Sequence, residues 1–314
     1  MPPLAIVCII GMGRSGSTLL DRMIGTLPGA VPVGESRSIV RRIHGAGSDC
    51  SCGAPLSSCP LWAAAWQKTM PSDFDIAADL TNERRILGRR SVAKMLLRAP
   101  TGAAAADLHA YAAARRAIYE AVLEQSGGSV IVDSTKFWPY ALALARSGEF
   151  QVRAIHLVRD PRGVAFSHLK REPGRVEGPD DDRIDRARPV TRWSRRWLVL
   201  NALAELAGRR AMAYHRVRYE DLVANPQSTL RRLVAFAQIP GELPDLAGDS
   251  VTMPVHHIVG SNGASRATSG RVAIRVDDQW RAGLSAKQRA TVTALTLPVL
   301  VRHRYPVWPR APRP

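Results

Sequence analysis

Residues 10–18 read Ile-Gly-Met-Gly-Arg-Ser-Gly-Ser-Thr, and this glycine-rich stretch decides the fold of the chain. An apolar run at residues 4–10 precedes it, and a run typical of a helix follows it at residues 18–24. A strand that passes through a glycine-rich turn into a helix gathers backbone N–H groups at the positive end of the helix dipole. The stretch therefore predicts a binding site for a phosphate-like anion.

The glycine spacing matches two nucleotide-binding patterns. Gly11, Gly13 and Gly16 spell G-x-G-x-x-G. Glu35 stands roughly 20 residues further on, where dinucleotide-binding proteins place a ribose ligand. The same loop spells a Walker A sequence in which Ser17 replaces the lysine that reaches the β- and γ-phosphates. The loop alone leaves three interpretations open: a dinucleotide site, another phosphate site and a turn without a ligand.

Arg14 supplies a cation inside the loop itself. A guanidinium binds a tetrahedral oxyanion through several fixed donors, whereas a lysine offers a point charge. The missing Walker lysine argues against an ordinary ATPase or kinase.

Two later apolar runs also end in polar residues. Residues 130–136 end in Asp-Ser-Thr-Lys, which closes at Lys136, and residues 152–158 lead directly into Arg159. Ser167 lies about two turns into the helix that is predicted to follow. Because ligands of open parallel sheets gather outside the carboxyl ends of the strands, we expect Arg14, Lys136 and Arg159 to lie together.

In this order, the motifs resemble those of the sulfotransferases that use 3′-phosphoadenosine 5′-phosphosulfate. Residues 14–18 are similar to the 5′-phosphosulfate loop of that family, and Arg159 with Ser167 resembles its 3′-phosphate motif. Residues 217–222, Val-Arg-Tyr-Glu-Asp-Leu, resemble a later strand-end segment. The Gly34-Glu35 pair resembles the branch that contains the tyrosylprotein sulfotransferases and many bacterial enzymes.

The resemblance implies transfer of a sulfuryl group from this donor to a hydroxyl of a small-molecule, glycan or lipid acceptor. The transfer is an in-line displacement that leaves adenosine 3′,5′-bisphosphate and requires no metal. Glu35 is the expected base, and Arg14 and Lys136 are the expected catalytic cations. The expected donor-binding residues are Arg14, Ser15, Gly16, Ser17, Thr18, Arg159, Ser167, Arg171, Tyr219, Arg266 and Arg271.

Other assignments remain open for the base and for the function. Glu35 instead forms a salt bridge with Arg37 or Arg41 if it has no catalytic role, and His257 is then the next candidate base. The main alternative function is a P-loop nucleotide-dependent kinase that acts on a small molecule. A dinucleotide-dependent oxidoreductase and a basic nucleic-acid-binding protein follow it.

The charge of the chain favours anionic partners. The formal net charge is +17, which suits a bisphosphorylated sulfonucleotide as well as a nucleic acid. Zinc-finger spacing, a helix-turn-helix pattern and an aromatic-rich binding strand are all lacking in the sequence, so a nucleic-acid partner is not expected. The oligomeric state and the identity of the acceptor cannot be read from the sequence.

Short β-like runs alternate with helical runs, which predicts an α/β fold with a P-loop-like central parallel β-sheet flanked by helices. The predicted strands are 4–10, 31–33, 129–133, 152–158 and 212–218. The predicted helices are 16–27, 76–98, 106–126, 138–147, 162–171, 191–208, 227–238 and 285–296. We expect a single domain of residues 1–314, with a mostly helical insertion at about 45–127 that forms part of an acceptor pocket. A mobile loop is expected at about 172–190 and a loose tail at 306–314.

The three cysteines at positions 50, 52 and 59 follow a C-x-C-x6-C pattern, which is not a standard four-ligand zinc spacing. We expect reduced structural cysteines first, a Cys52–Cys59 disulfide second and a metal site third. The first strand begins within four residues of Met1, and the apolar runs are shorter than the ~18 residues that span a bilayer. These features predict a cytoplasmic protein without a membrane span.

Overall fold

A computed structural model describes residues 2–43, 45, 49–170, 189–243, 250–260 and 270–308. Its centre is a five-stranded parallel sheet in the order β2-β3-β1-β4-β5. The strands are β1 (Leu4–Ile10), β2 (Ala30–Gly34), β3 (Val130–Lys136), β4 (Phe150–Val158) and β5 (Ala213–Arg218). Helices flank the sheet, so the predicted α/β fold class is confirmed.

The strand order places β1 between β3 and β4. The chain first builds one side of β1, with β2 and β3, and then the other side, with β4 and β5. The direction of the connections therefore reverses between β1 and β4. In open α/β sheets a ligand crevice lies outside the carboxyl ends of the strands at such a switch point.

The helices lie on both faces of the sheet and at its edges. Their bounds are α1 (Ser17–Ile24), α2 (Ile39–Arg42), α3 (Trp62–Thr69), α4 (Ile76–Ile86), α5 (Arg89–Leu97), α6 (Ala103–Ser126), α7 (Trp138–Arg146), α8 (Pro161–Leu169), α9 (Val190–Ala211), α10 (Tyr219–Ala224), α11 (Pro226–Ala237), α12 (Trp280–Gly283) and α13 (Ala286–Arg302). Within the described part of the chain, no helix is both long and apolar enough to cross a membrane.

Burial on both faces explains the continuous apolar sequence of β1. Ile6, Cys8 and Ile10 pack into one core cluster with residues of α6, α7 and α9. Val7 and Ile9 pack into a second cluster with residues of α1 and α11. A strand covered on both faces reads as an unbroken apolar run rather than as an alternating one.

Several details differ from the sequence prediction. Helices α2, α3, α10 and α12 have no counterpart among the predicted helix ranges. The single helix predicted over 76–98 is wrong, because Gly88 adopts an extended conformation that separates α4 from α5. The sequence also gave no sign of an antiparallel pair formed by β6 (Ser250–Met253) and β7 (Gly270–Ala273).

Two predicted irregular segments fall mostly outside the described residues. Of the loop predicted at 172–190, only Pro189 and Val190 are described, and Val190 begins α9. Of the tail, residues 309–314 are not described. The start of the tail is held in place, because the buried Arg162 side chain donates to the Pro306 carbonyl at 2.9 Å.

Candidate active site

The glycine-rich loop runs from the end of β1 to the first residue of α1. Its last glycine, Gly16, has φ of 89° and stands before α1 without a side-chain cap. A Cβ at this position would lie 2.5 Å from the ring of Tyr219. Only glycine therefore allows both this left-handed turn and the close packing of α10 against the loop.

The side chains predicted for the two phosphate motifs lie together around this loop. Arg14, itself left-handed with φ of 71°, donates from Nε to the Oγ of Ser167 on α8 at 2.9 Å. Arg159, just beyond β4, donates from Nη1 to the Arg14 carbonyl at 3.0 Å. The loop is thus attached to the carboxyl end of β4 and to the helix that follows it.

Arg159 also has partners that the sequence did not indicate. Its Nη2 donates to the backbone oxygen and the carboxylate of Asp277, each at 3.0 Å. Its guanidinium lies 4.7 Å from the centre of the Tyr219 ring. Arg159 is buried, and Asp277 and the Tyr219 ring orient its guanidinium group.

Ser15 is a buried loop residue whose Oγ has no hydrogen-bond partner among the described residues. Buried hydroxyls in proteins are nearly always hydrogen-bonded, and an exception needs an explanation. An oxyanion bound by the loop would supply the missing acceptor. Ser17 is also buried, and Thr18 is partly buried at the first turn of α1.

Glu35 and Lys136 form an ion pair at the carboxyl edge of β2 and β3. Lys136 Nζ lies 2.5 Å from Glu35 Oε1, and both side chains keep roughly a quarter of their surface exposed. The carbonyl of Lys136 accepts from the N–H of Gly11 at 3.1 Å, so the pair adjoins the loop. Arg37, one of the alternative partners predicted for Glu35, pairs with Glu83 at 2.9 Å.

A buried polar layer supports the end of β3. Ser134 Oγ donates to Asp21 Oδ2 at 2.8 Å, and Asp21 on α1 is fully buried. Burial raises the pKa of Asp21 to about 8, against the opposing effect of the Ser134 hydrogen bond. Ser36 donates to the buried Asp133 and also bonds the Tyr119 hydroxyl. No local sequence pattern indicates this layer, since its members lie on four separate elements.

The sequence also predicts three further arginines as ligands of the donor. Arg171 and Arg266 lie outside the described residues. Arg271 stands on β7 with an exposed side chain, and its Nε donates to Ser250 Oγ at 2.8 Å across the antiparallel pair.

His257, the alternative base, lies among three cysteines. Its Nδ1 is 3.2 Å from the Sγ of Cys59 and 3.8 Å from the Sγ of Cys50. Cys52 Sγ lies 3.9 Å from Cys59 Sγ, so the Cys52–Cys59 disulfide predicted as the second possibility is not formed. Hydrogen bonds from Cys50, from His257 and from backbone N–H groups lower the pKa of the Cys59 thiol, although burial opposes this shift.

A protein-family model and a set of solved structures match the chain. The family model described as "Sulfotransferase family" matches residues 6–245. No curated protein sequence matches the chain significantly.

Several solved structures align over nearly all of the chain. The sulfotransferase domain from the curacin biosynthetic pathway is 16% identical, with a TM-score of 0.49, and the alignment covers 98% of this chain and 99% of that one. The sulfotransferase domain of the Synechococcus PCC 7002 olefin synthase is 19% identical, with a TM-score of 0.44 and coverage of 95% and 94%. Sulfotransferase STF9 from Mycobacterium avium is 12% identical, with a TM-score of 0.45 and coverage of 98% and 79%.

Proposed function

The chain belongs to the sulfotransferase family, and we propose that it transfers a sulfuryl group from 3′-phosphoadenosine 5′-phosphosulfate to an acceptor hydroxyl. One observation carries this proposal. The glycine-rich loop with Arg14, the adjoining Arg159 and the Glu35–Lys136 pair all lie at the carboxyl edge of the sheet, beside the switch point. A base and cations at one anion site are what sulfuryl transfer needs.

The residues around the loop fit a nucleotide that carries both a 5′-phosphosulfate and a 3′-phosphate. Arg14 and the backbone of residues 15–18 would hold the 5′ group. The buried Ser15 hydroxyl, which has no hydrogen-bond partner among the described residues, would donate to it. Arg159 and Ser167 would hold the 3′-phosphate, and Tyr219 lies beside Arg159 to contact the adenine or this phosphate. Arg171, Arg266 and Arg271 are proposed as further phosphate ligands.

The donor supplies an activated sulfuryl group, whose S–O bond to phosphate breaks as a new S–O bond forms to the acceptor oxygen. Glu35 would accept the proton of the acceptor hydroxyl. Lys136 and Arg14 would neutralise the negative charge on the sulfuryl and leaving oxygens. Since Lys136 already contacts Glu35, the base and one of the cations are held side by side.

The acceptor is a small-molecule, glycan or lipid hydroxyl in this proposal. Helices α3 to α6 lie within the predicted 45–127 insertion, next to α2 and the Glu35 edge of the sheet. We assign the acceptor pocket to this helical region.

Calorimetric titration with adenosine 3′,5′-bisphosphate, with ATP plus Mg²⁺ and NAD as comparison ligands, tests the donor site. We expect micromolar binding of the bisphosphate, weak binding of the other two, and loss of bisphosphate binding in a folded Arg159→Ala variant. Preference for ATP would favour the kinase alternative, and preference for NAD an oxidoreductase.

The Glu35→Gln variant distinguishes the role of Glu35 as a base from a role in binding the donor. Bisphosphate binding should persist, whereas sulfuryl transfer to a panel of hydroxyl acceptors should fall about 10²–10⁴-fold, as for loss of a general base. Glu124→Gln is the matched control, because Glu124 is exposed and pairs only with Lys68 among the described contacts. Equal transfer rates in Glu35→Gln and the native chain would exclude Glu35 as the base.

A further inference from the structure

Three cysteines and one histidine from distant parts of the chain meet beside the candidate site. The donor atoms of Cys50, Cys52, Cys59 and His257 all lie within 4.8 Å of one another. All three cysteines are reduced, and Cys50 and Cys59 are buried. We propose that these four residues form a structural Zn²⁺ site.

The distances between the donor atoms fit tetrahedral zinc. Zn–S bonds of about 2.3 Å and Zn–N bonds of about 2.0 Å place two sulfurs about 3.8 Å apart and a sulfur and a nitrogen about 3.5 Å apart. The Cys52–Cys59 sulfur separation is 3.9 Å, and the two Cys–His257 separations are 3.8 and 3.2 Å. These three separations lie close to those of a tetrahedral zinc site, and every pair of donor atoms lies within 4.8 Å.

The donor set and its surroundings favour zinc over a catalytic or hard metal. Cys₃His is a common set for structural zinc, whereas Mg²⁺ and Ca²⁺ take oxygen ligands. Four protein ligands leave no open position for a water or substrate. The Trp62 indole N–H donates to the His257 carbonyl at 2.7 Å, which fixes the backbone of the histidine ligand.

The zinc site would connect the segment around Cys50 to the segment at residues 257–259, which also contacts Glu35. Cys50 pairs with Val259 in a short antiparallel bridge, and Ser51 N–H donates to the Ile258 carbonyl at 3.1 Å. Val259 in turn accepts from Glu35 N–H at 2.6 Å. The metal would therefore stabilise the strand-like segment against which the proposed base is placed. This consequence rests on the proposed function, whereas the metal site itself does not.

Elemental analysis of the full-length protein, purified without chelators, is the first test. We expect about one zinc per chain. Cobalt substitution should give thiolate-to-cobalt charge-transfer absorption and the visible bands of a tetrahedral ion. Less than a tenth of one zinc per chain, iron in place of zinc, or a mass that shows a Cys52–Cys59 disulfide would overturn the assignment.

Neighbouring residues of the same type provide matched variants. His257→Ala and Cys52→Ser should lose zinc to a competing chelator at least tenfold faster than the native protein, since each removes one of four ligands. His256→Ala and Cys8→Ser should retain it, because both residues lie outside the cluster. Equal retention in His257→Ala and His256→Ala would exclude the histidine ligand. The native zinc content and cobalt spectrum remain decisive if a variant does not fold.

Titration with adenosine 3′,5′-bisphosphate on the same samples keeps the two proposals apart. Zinc without nucleotide binding would support the metal site and contradict the proposed function. Nucleotide binding in a zinc-free, fully folded protein would support the proposed function and contradict the metal site.

Discussion

At the scale of single residues, the most informative atom is the Ser15 hydroxyl. It is buried in the loop and has no partner among the described residues. Removing a buried hydroxyl that makes no hydrogen bond deletes a desolvation cost, so Ser15→Ala should not lower the free energy of unfolding and should raise it by up to about 1 kcal/mol. The same change should weaken binding of adenosine 3′,5′-bisphosphate about 5–10-fold, because one hydrogen bond to the ligand is lost.

Ser134→Ala is the comparison for this prediction. Ser134 Oγ is also buried but donates to Asp21, so its removal should destabilise the protein by about 1–2 kcal/mol. Urea unfolding and calorimetry on both variants give the two quantities. A loss of stability in Ser15→Ala as large as that in Ser134→Ala would contradict the assignment of Ser15 to a ligand.

Asp21 makes the free energy of unfolding depend on pH. Burial raises its pKa from 3.8 to about 8 in the folded chain. Between these values the folded state holds a proton that the unfolded state has released, so the free energy of unfolding falls as pH rises, by about 1.4 kcal/mol per pH unit.

Asp21→Asn should remove that dependence. The stability of the variant relative to the native protein should rise steadily between about pH 4 and about pH 8. Urea unfolding of both proteins across this range measures the difference, in which the other titrating groups cancel. A constant difference in Asp21→Asn would mean that Asp21 is ionised in the folded state.

At the scale of elements, the end of β2 depends on one glycine. Gly34 has φ of 70°, and a Cβ there would lie 2.2 Å from the carbonyl oxygen of Val259. Gly34→Ala must therefore push away the segment that pairs with Glu35. We expect a loss of about 2–4 kcal/mol in stability and a fall in the rate of sulfuryl transfer, while binding of adenosine 3′,5′-bisphosphate is largely retained.

Gly148→Ala separates backbone strain from steric conflict. Gly148 also has a positive φ, of 81°, but its Cβ would meet no atom within 4 Å. This variant should lose only about 1–2 kcal/mol and keep full transfer activity. If thermal unfolding and transfer assays show the same losses in both variants, contact with Val259 is not what requires glycine at position 34.

The elements that the sequence predicted well are those whose signals are local. The apolar run of β1, its glycine loop and the polar ends of β3 and β4 are continuous stretches, and the site assembled from them lies at the expected edge. No short stretch of sequence indicates that Glu35 pairs with Lys136 or that Arg159 pairs with Asp277, because the partners are distant along the chain. His257 joins cysteines about 200 residues earlier, which no spacing pattern within residues 50–59 could indicate.

At the scale of the whole molecule, Glu205 connects α9 to the end of α13, about 100 residues later in the chain. Its carboxylate pairs with Arg302 at 2.9 Å and with His303 at 3.3 Å, both at the end of α13. Burial alone would raise the pKa of Glu205, but hydrogen bonds from Arg302 and His303 lower it from 4.5 to about 2. The carboxylate thereby stabilises the fold above about pH 4.5, and this contribution is lost as pH falls toward 2.

Glu205→Gln should lower the free energy of unfolding by about 2–3 kcal/mol at neutral pH, the scale set by its pKa shift. The difference from the native protein should shrink as pH falls below about 4.5, because the native carboxylate is then protonated as well. Glu124→Gln breaks an exposed pair with Lys68 and should change stability by less than about 1 kcal/mol. Denaturant unfolding over the acid range measures both, and a difference for Glu205→Gln that stays constant down to about pH 3 would show that its effect is packing rather than charge.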